Sequence, residues 1–577
     1  MSEVKVQTER VDDIPLLVKQ QEEMGIAEII DDIIPRHGNR QGLSVGEVTT
    51  GWLSYILSQS DHRLSVVEDW AANRLTTLSH LFPDIVGAKD FTDDRLGEVL
   101  INLSDDKVWQ EVEDQLNRRC IQVYGLETET ARIDSTTVSM HHNSEASEII
   151  AHGHSKDHRP DLAQIKIMMV TLDPLSMPLV TQIVPGNRAD DGLYIPAIEA
   201  TQATLNKGGM LYVGDSKMEA LATRAHCVAT GDYYLHPLSL KGKQRDLLYQ
   251  LVRQVSDDET VILTDIHGPK SKEEGDAKLI AKAWETTRQL QMGVNEKQVD
   301  WDERLLVVYS PVLAQAGYRG LDKRLQAAND ALLALTPPSG RGRRQWKDLP
   351  SLQAEAEAVL RHYRLADCLD VTYERQETER KIRRYKDRPA RVETAIRYQL
   401  SLKRNEAAIE EVRRFIGWRL FATNAPQTRL SIDGAVRVYR GSAPTIERLF
   451  ARLKGRPLGL SPLFVRRDKA IVGLTRLLSL AMRVLTLVEF NVRRSLNHER
   501  ETLAGLVPGN PKMATATPTT ERLLRAFKEV TLSVIILEGR EIRHLTPLSP
   551  IQNRILLLLK FPDSLYTDLA LTKPIEV

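Results

Sequence analysis

The chain has 577 residues, 42% of them hydrophobic and 27% charged, a globular composition that excludes a fibrous chain or one disordered throughout; at this length roughly three to four domains are expected. The formal net charge is zero, yet residues 1–340 hold 34 Lys and Arg against 52 Asp and Glu, while residues 341–510 hold 35 against 19. Positive charge gathered into one third of a chain attracts a polyanion, because binding releases the counterions condensed on DNA or RNA.

The first residues carry Glu3, Glu9, Asp12 and Asp13 and no apolar run, so no secretory signal is expected and a cytoplasmic location is. Cys120, Cys227 and Cys368, odd in number and far apart, signal neither a disulfide framework nor a cysteine zinc site. From Pro15 to about Glu127 the apolar residues recur three and four apart, as in Val45, Val48, Trp52 and Ile56, which predicts an all-α N-terminal domain over 1–127. Its segments Leu43–Ser58 and Leu64–Ala72 read either as a DNA-binding helical pair or as plain packing helices.

After Leu126 the pattern changes to strands at Ala131–Met140, Ala163–Leu172, Pro178–Val184, Met210–Gly214 and Asp232–His236, with helices at Tyr194–Leu205 and Lys217–Ala229. That order predicts an α/β core over 128–240, a mixed sheet flanked by helices. Residues 241–415 read as an insertion into it, mixed at first, with a strand at Arg304–Tyr309, then basic and helical from Leu349 to Phe415 with a break at Pro389. Over 416–500 the sheet domain resumes, with strands at Trp418–Thr423 and Val436–Tyr439 and a helix from near Ala443, capped by Ser442 with Pro444 in its first turn. The apolar stretch Ala470–Phe490 contains Arg476, Arg483 and Glu489, which predicts a buried helix and no membrane span. Residues 501–577 are expected to be helical.

Three carboxylates stand out. Asp134 lies within the first strand of the α/β region, and Asp215 follows the fourth directly behind Gly214. Glu447 sits on a helix whose apolar face is Ile446, Leu449, Phe450 and Leu453, with Lys454 two turns further on nearly the same face. Carboxylates converging on a groove suit hard cations, and two such ions can activate an attacking oxygen and stabilise a leaving one at phosphorus. His141, His142, His152, His154 and His158 crowd the segment after the first strand, but no cysteine accompanies them, and loop or DNA-backbone contacts for His158 and Arg159 are the preferred reading. Arg341, Arg343, Arg344 and Lys347 surround Trp346, a cluster that reads either as a phosphate-and-base contact or as an exposed basic loop.

The order of the strands, with Asp134 in the first, Asp215 after the fourth and Glu447 on a much later helix, resembles the RNase H-like domain of DDE transposases. More narrowly, Tyr439-Arg440, Ile446-Glu447-Arg448-Leu449-Phe450 and Lys454-Gly455 resemble the Tyr–Arg–Glu–Lys signature of bacterial insertion-sequence transposases with a large insertion before the glutamate. Tyr439 stands one residue further from Glu447 than in the family's spacing, and Arg440 takes the arginine's place. Gly186–Asp191, Ser155–Asp161 and Gly417–Asn424 also look like that group. The resemblance, over roughly residues 10 to 500, implies cut-and-paste transposition with Asp134, Asp215 and Glu447 holding two Mg2+ or Mn2+ ions. It further implies Tyr439, Arg440, Arg448 and Lys454 at the phosphates of double-stranded DNA, terminal inverted repeats and target DNA as partners, and a homodimer in the synaptic complex. Two other readings share these residues: a structure-specific RNase H-like nuclease, and an inactive DNA-binding derivative.

Overall fold

The computed structural model describes residues 5–35, 38, 41–84, 86–268, 277–294, 297–338, 346, 348–384, 389–537 and 540–571. In chain order its strands are β1 (Lys5–Arg10), β2 (Thr130–Met140), β3 (Ala163–Leu172), β4 (Met177–Pro185), β5 (Leu211–Val213), β6 (Tyr233–Pro237), β7 (Thr264–His267), β8 (Leu279–Val294), β9 (Lys297–Tyr309), β10 (Leu369–Ile382), β11 (Arg391–Arg404), β12 (Trp418–Thr423), β13 (Thr531–Leu537) and β14 (Arg540–Leu545). Two compact units divide the chain: Met1–His236 with Gln289–Trp301 and Arg437–Val577, and Pro237–Arg288 with Asp302–Val436.

In the first unit the strands lie in the order β4-β3-β2-β5-β6. β3 runs antiparallel to β2 and β4 antiparallel to β3, whereas β5 is parallel to β2 and β6 parallel to β5. Every residue of β3 is buried, so its sequence, Ala-Gln-Ile-Lys-Ile-Met-Met-Val-Thr-Leu, lacks the polar-out alternation of a one-sided strand. The helix Val45–Gln59 begins at Ser44, whose hydroxyl accepts the Glu47 N–H at 3.1 Å while the Glu47 carboxylate accepts the Ser44 N–H at 2.8 Å.

The helix Asp468–Glu499 is long and apolar enough to cross a membrane by composition, but it is buried along most of its length and its buried charges, Arg476, Arg483 and Glu489, are paired. Arg483, wholly buried, meets Glu113 at 2.6 Å; Arg476 donates to the Leu103 carbonyl at 2.9 Å; Glu489 accepts from Arg448, Arg452 and Arg493 at 2.6–2.7 Å. Gly473 lets the Leu100 carbonyl approach so closely that any Cβ there would overlap it.

Several expectations are corrected. The N-terminal region is not all-α, and residues 501–577 are not all helical: β1, β13 and β14 form an antiparallel three-stranded sheet, joining residues more than 500 positions apart, a pairing with no local trace. In the second unit the Leu349–Phe415 stretch is not continuously helical. Its helices are Leu349–Tyr363 and Glu406–Arg414, with the β10–β11 hairpin between them. The period of two is visible in Leu369, Val371 and Tyr373 and in Leu400 and Leu402, but dense charge beyond the hairpin base masks it. Leu369 and Leu400 join Leu321, Leu360 and Ile409 in one core. The strands β12, β9, β8 and β7 lie in that order, with the end of β8 and the start of β9 (Gln289–Trp301) assigned to the first unit.

Finally, Val436–Tyr439 is not a strand. It belongs to a single helix, Ile432–Lys454, that carries Pro444 in its interior. The cap is not Ser442 but Ser431, whose hydroxyl accepts the Gly434 N–H at 3.1 Å. Ile432, Ala435 and Val436 are buried at helical spacing, whereas a four-residue segment with three apolar residues is too short to tell the two periods apart.

Candidate carboxylate site

β2 and β5 run in parallel register with Arg132 opposite Val213. Asp134 and Asp215 each lie two residues beyond that pair, so they emerge side by side from strands about 4.8 Å apart, where the chain leaves β5. Asp215 turns the chain into a short helical turn: its Oδ1 accepts the Lys217 N–H at 2.8 Å and the Tyr194 hydroxyl at 2.6 Å. Gly214 makes room for this, since a Cβ there would meet the Met218 sulfur at 2.8 Å and the Tyr194 ring at 3.1 Å.

Burial, reinforced by the neighbouring charges of Asp215 and Asp190, raises Asp134 to about 6 against the opposing pull of Lys156 and the Ser135 N–H, which it accepts at 2.7 Å. Two carboxylates that repel in a half-buried site are arranged to receive a cation. Part of that role falls to Lys156, whose ammonium donates to the Ser135 carbonyl and hydroxyl at 2.6 and 2.8 Å and lies 3.7 Å from Asp134 and 3.8 Å from Asp190. Burial pushes Asp190 up, but its bond to Lys166 and the charge of Lys156 hold it below the usual carboxylate range. Burial and then the charge of Asp215 push the Tyr194 phenol well above its usual value, so it acts as a donor.

Glu447 is on the same unit but is not drawn into this cluster. It is exposed, and among the described residues its side chain makes no hydrogen bond or ion pair. Nor do any three His, Cys, Asp or Glu side chains among the described residues stand close enough together to hold a metal ion. The donor set at Asp134 and Asp215 is all oxygen, the kind that suits Mg2+ or Mn2+.

The helix carrying Glu447 is nevertheless anchored on both sides of it. The Val438 carbonyl accepts from Arg132 at 2.9 Å, with the Arg132 guanidinium 6.0 Å from the Tyr439 ring, and Thr445 bonds Ser176 at 2.6 Å. Arg448 and Arg452 both bond Glu489, and Arg452 also bonds Glu521 at 2.6 Å. Lys454 reaches Asp157 at 2.6 Å. Arg440 is half-buried, and burial holds its guanidinium below its usual value. Arg159 is exposed and paired with Asp161 at 2.7 Å.

In the second unit Trp346 is buried and donates its indole N–H to the Leu335 carbonyl at 2.8 Å, so it is a packing residue here and not a stacking surface. Arg341, Arg343, Arg344 and Lys347 lie outside the described residues. The sequence reasoning missed Lys156, Asp190 and Tyr194, although the first two fall in the stretches Ser155–Asp161 and Gly186–Asp191 that it had singled out. The signal was a lysine and an aspartate in polar loops flanking hydrophobic strands.

Residues 6–112 match the family model described as "Domain of unknown function (DUF4277)". No curated protein matches the chain. Among solved structures, the piggyBac transposase synaptic complex with hairpin DNA is similar at a TM-score of 0.35 and 8% identity, over 90% of this chain and 81% of that one. A likeness that slight does not establish a shared fold.

Proposed function

We propose that the chain is a DDE-type transposase that cleaves and joins DNA at the ends of an insertion sequence, with an RNase H-like sheet in its first unit. The observation that carries this reading is the juxtaposition of Asp134 in β2 and Asp215 just past the parallel strand β5, with the helix that bears Glu447 and Lys454 tied to β2 through Arg132 and Val438. Asp134 and Asp215 would hold the divalent ions, with Glu447 as the further ligand. A bound Mg2+ or Mn2+ would supply charge neutralisation at the phosphate undergoing displacement.

The chain's own residues do the rest. Tyr194 and the Lys217 N–H orient Asp215, and the Ser135 N–H orients Asp134. Lys156 balances the negative charge until substrate arrives. Tyr439, Arg440 and Lys454 would contact phosphates of double-stranded DNA, and a homodimer would bring two ends together.

The test is incubation of the purified chain with DNA that flanks its reading frame, with and without Mg2+ or Mn2+. Metal-dependent nicking at inverted-repeat ends that is lost in Asp134→Asn and Asp215→Asn while binding persists is the expected result. Cleavage at the wild-type rate by either variant would remove that residue from the site, and cleavage of branched DNA regardless of the ends would instead favour a structure-specific nuclease.

A further inference from the structure

Past Lys454 the chain turns through Ser461–Lys469 and, with the end of β2 and the loop after it, walls an open groove of about 1490 Å³. Small-molecule pockets run to roughly 300–1,000 Å³, so this one is large enough for a polymer segment. Ser139, on its wall, lies five residues beyond Asp134 on the same strand, about 17 Å away at the rise of a β-strand. The groove's wall at Ser139 is thus set apart from Asp134 along β2, while Asp157, the neighbour of Lys156, carries its lining back toward the carboxylates on the same unit.

Its charges are unequally used. Lys454 and Asp157 neutralise each other, and Asp468 is occupied by the Ser147 hydroxyl at 2.7 Å and the Glu148 N–H at 2.8 Å. Arg466, Arg467 and Lys469 are exposed and have no ion pair among the described residues. Beside them Phe464 is 53% exposed, yet it is held in place: its ring packs on the buried His62 ring with centroids 5.4 Å apart. A backed aromatic face beside three unpaired cations is the combination that binds unpaired nucleotides, by stacking and by phosphate contact; a duplex, whose bases are already stacked, has no use for the ring.

We infer that this groove binds single-stranded DNA, with Phe464 stacking on a base and Arg466, Arg467 and Lys469 contacting its phosphates. The inference rests on the proposal that the chain acts on DNA, and it names an unpaired strand as a substrate feature. Its test reads binding alone, so it can fail while metal-dependent cleavage stands, and the reverse.

Fluorescence anisotropy of the full chain with labelled oligo-dT, and with a blunt duplex, separates the possibilities. Phe464→Ala should weaken oligo-dT binding by about tenfold or more and leave blunt-duplex binding within about twofold, while Phe464→Trp should retain oligo-dT affinity, as stacking requires. Replacing Arg466, Arg467 and Lys469 together by alanine should lower the slope of log Kd against log salt for oligo-dT by about 2, at about 0.7 per phosphate contact on a single strand. Unchanged oligo-dT affinity in Phe464→Ala, equal losses on oligo-dT and duplex, or failure of Phe464→Trp to restore binding would each overturn the inference.

Discussion

The two parts of the first unit that carry the candidate carboxylates are built differently. Asp134 sits in β2 and Asp215 just past the end of its parallel partner β5, and each has its orientation fixed by N–H or O–H donors within 2.8 Å. Glu447 projects from a helix whose neighbours are pinned by Arg132, Ser176, Glu489, Glu521 and Asp157, but is itself exposed and unpaired among the described residues. The strand carboxylates are organised in the protein alone; the helical one is presented. A carboxylate left without partners stays well solvated at little cost, whereas two held side by side and half-buried carry a repulsion that a cation relieves.

That contrast is most sharply tested by cleavage rates. Asp134→Asn and Asp215→Asn should each slow DNA cleavage by roughly 10²–10³-fold or more, the cost of losing a preorganised electrostatic group. Glu447→Gln should match them if the helix completes the site on substrate binding; a loss below about tenfold in single-turnover cleavage would leave the aspartate pair acting without it.

Next in size is the helix's anchor. Arg452 is buried between Glu489 and Glu521. Arg452→Met should cost about 2–3 kcal/mol in chemical denaturation, below the roughly 3–5 kcal/mol of a fully orphaned buried charge, because Glu489 keeps Arg448 and Arg493. If Glu447 works from this helix, the variant should also lose cleavage at a temperature where it is still folded; full activity there would separate anchor from site.

Tyr194→Phe removes one donor to Asp215 and leaves the other. A stability loss of about 1 kcal/mol is expected, the usual worth of one such hydrogen bond, with a several-fold slower cleavage and unchanged DNA affinity. Unaltered cleavage would show that the Lys217 N–H alone orients the carboxylate.

A further test is a pH dependence in chelator. Asp134 has its folded pKa raised to about 6 from 3.8 by burial and neighbouring carboxylates, so the folded chain holds this proton more tightly than the unfolded one. Wild-type stability should therefore carry a component that falls as pH rises from about 4 to about 6. Asp134→Asn lacks that component and should gain in Tm on wild type over that interval; parallel Tm curves would mean that Asp134 is not strained in the metal-free protein.

Legibility in the sequence followed the range of the forces involved. β3, the helix Tyr194–Leu205 and β12 match their expected limits, because composition, length and turn residues within each segment decide them. The burial of Asp468–Glu499 was also readable, since unpaired charges in so apolar a run would be untenable in a bilayer. The β10–β11 hairpin was lost because its alternation is carried by few apolar residues among many charged ones.

Sequence alone determined the succession of the core strands along the chain, the buried long helix and the positions of Asp134, Asp215 and Glu447 in the chain. Only the tertiary structure decided that β1 pairs with β13, that Lys156 and Asp190 join Asp134, that Trp346 is buried, and that Phe464 is exposed but backed by His62. The first set depends on local spacing of apolar and polar residues, which a sequence displays directly. The second depends on contacts between distant segments, where ion pairs, burial and register are set by packing that no local pattern encodes.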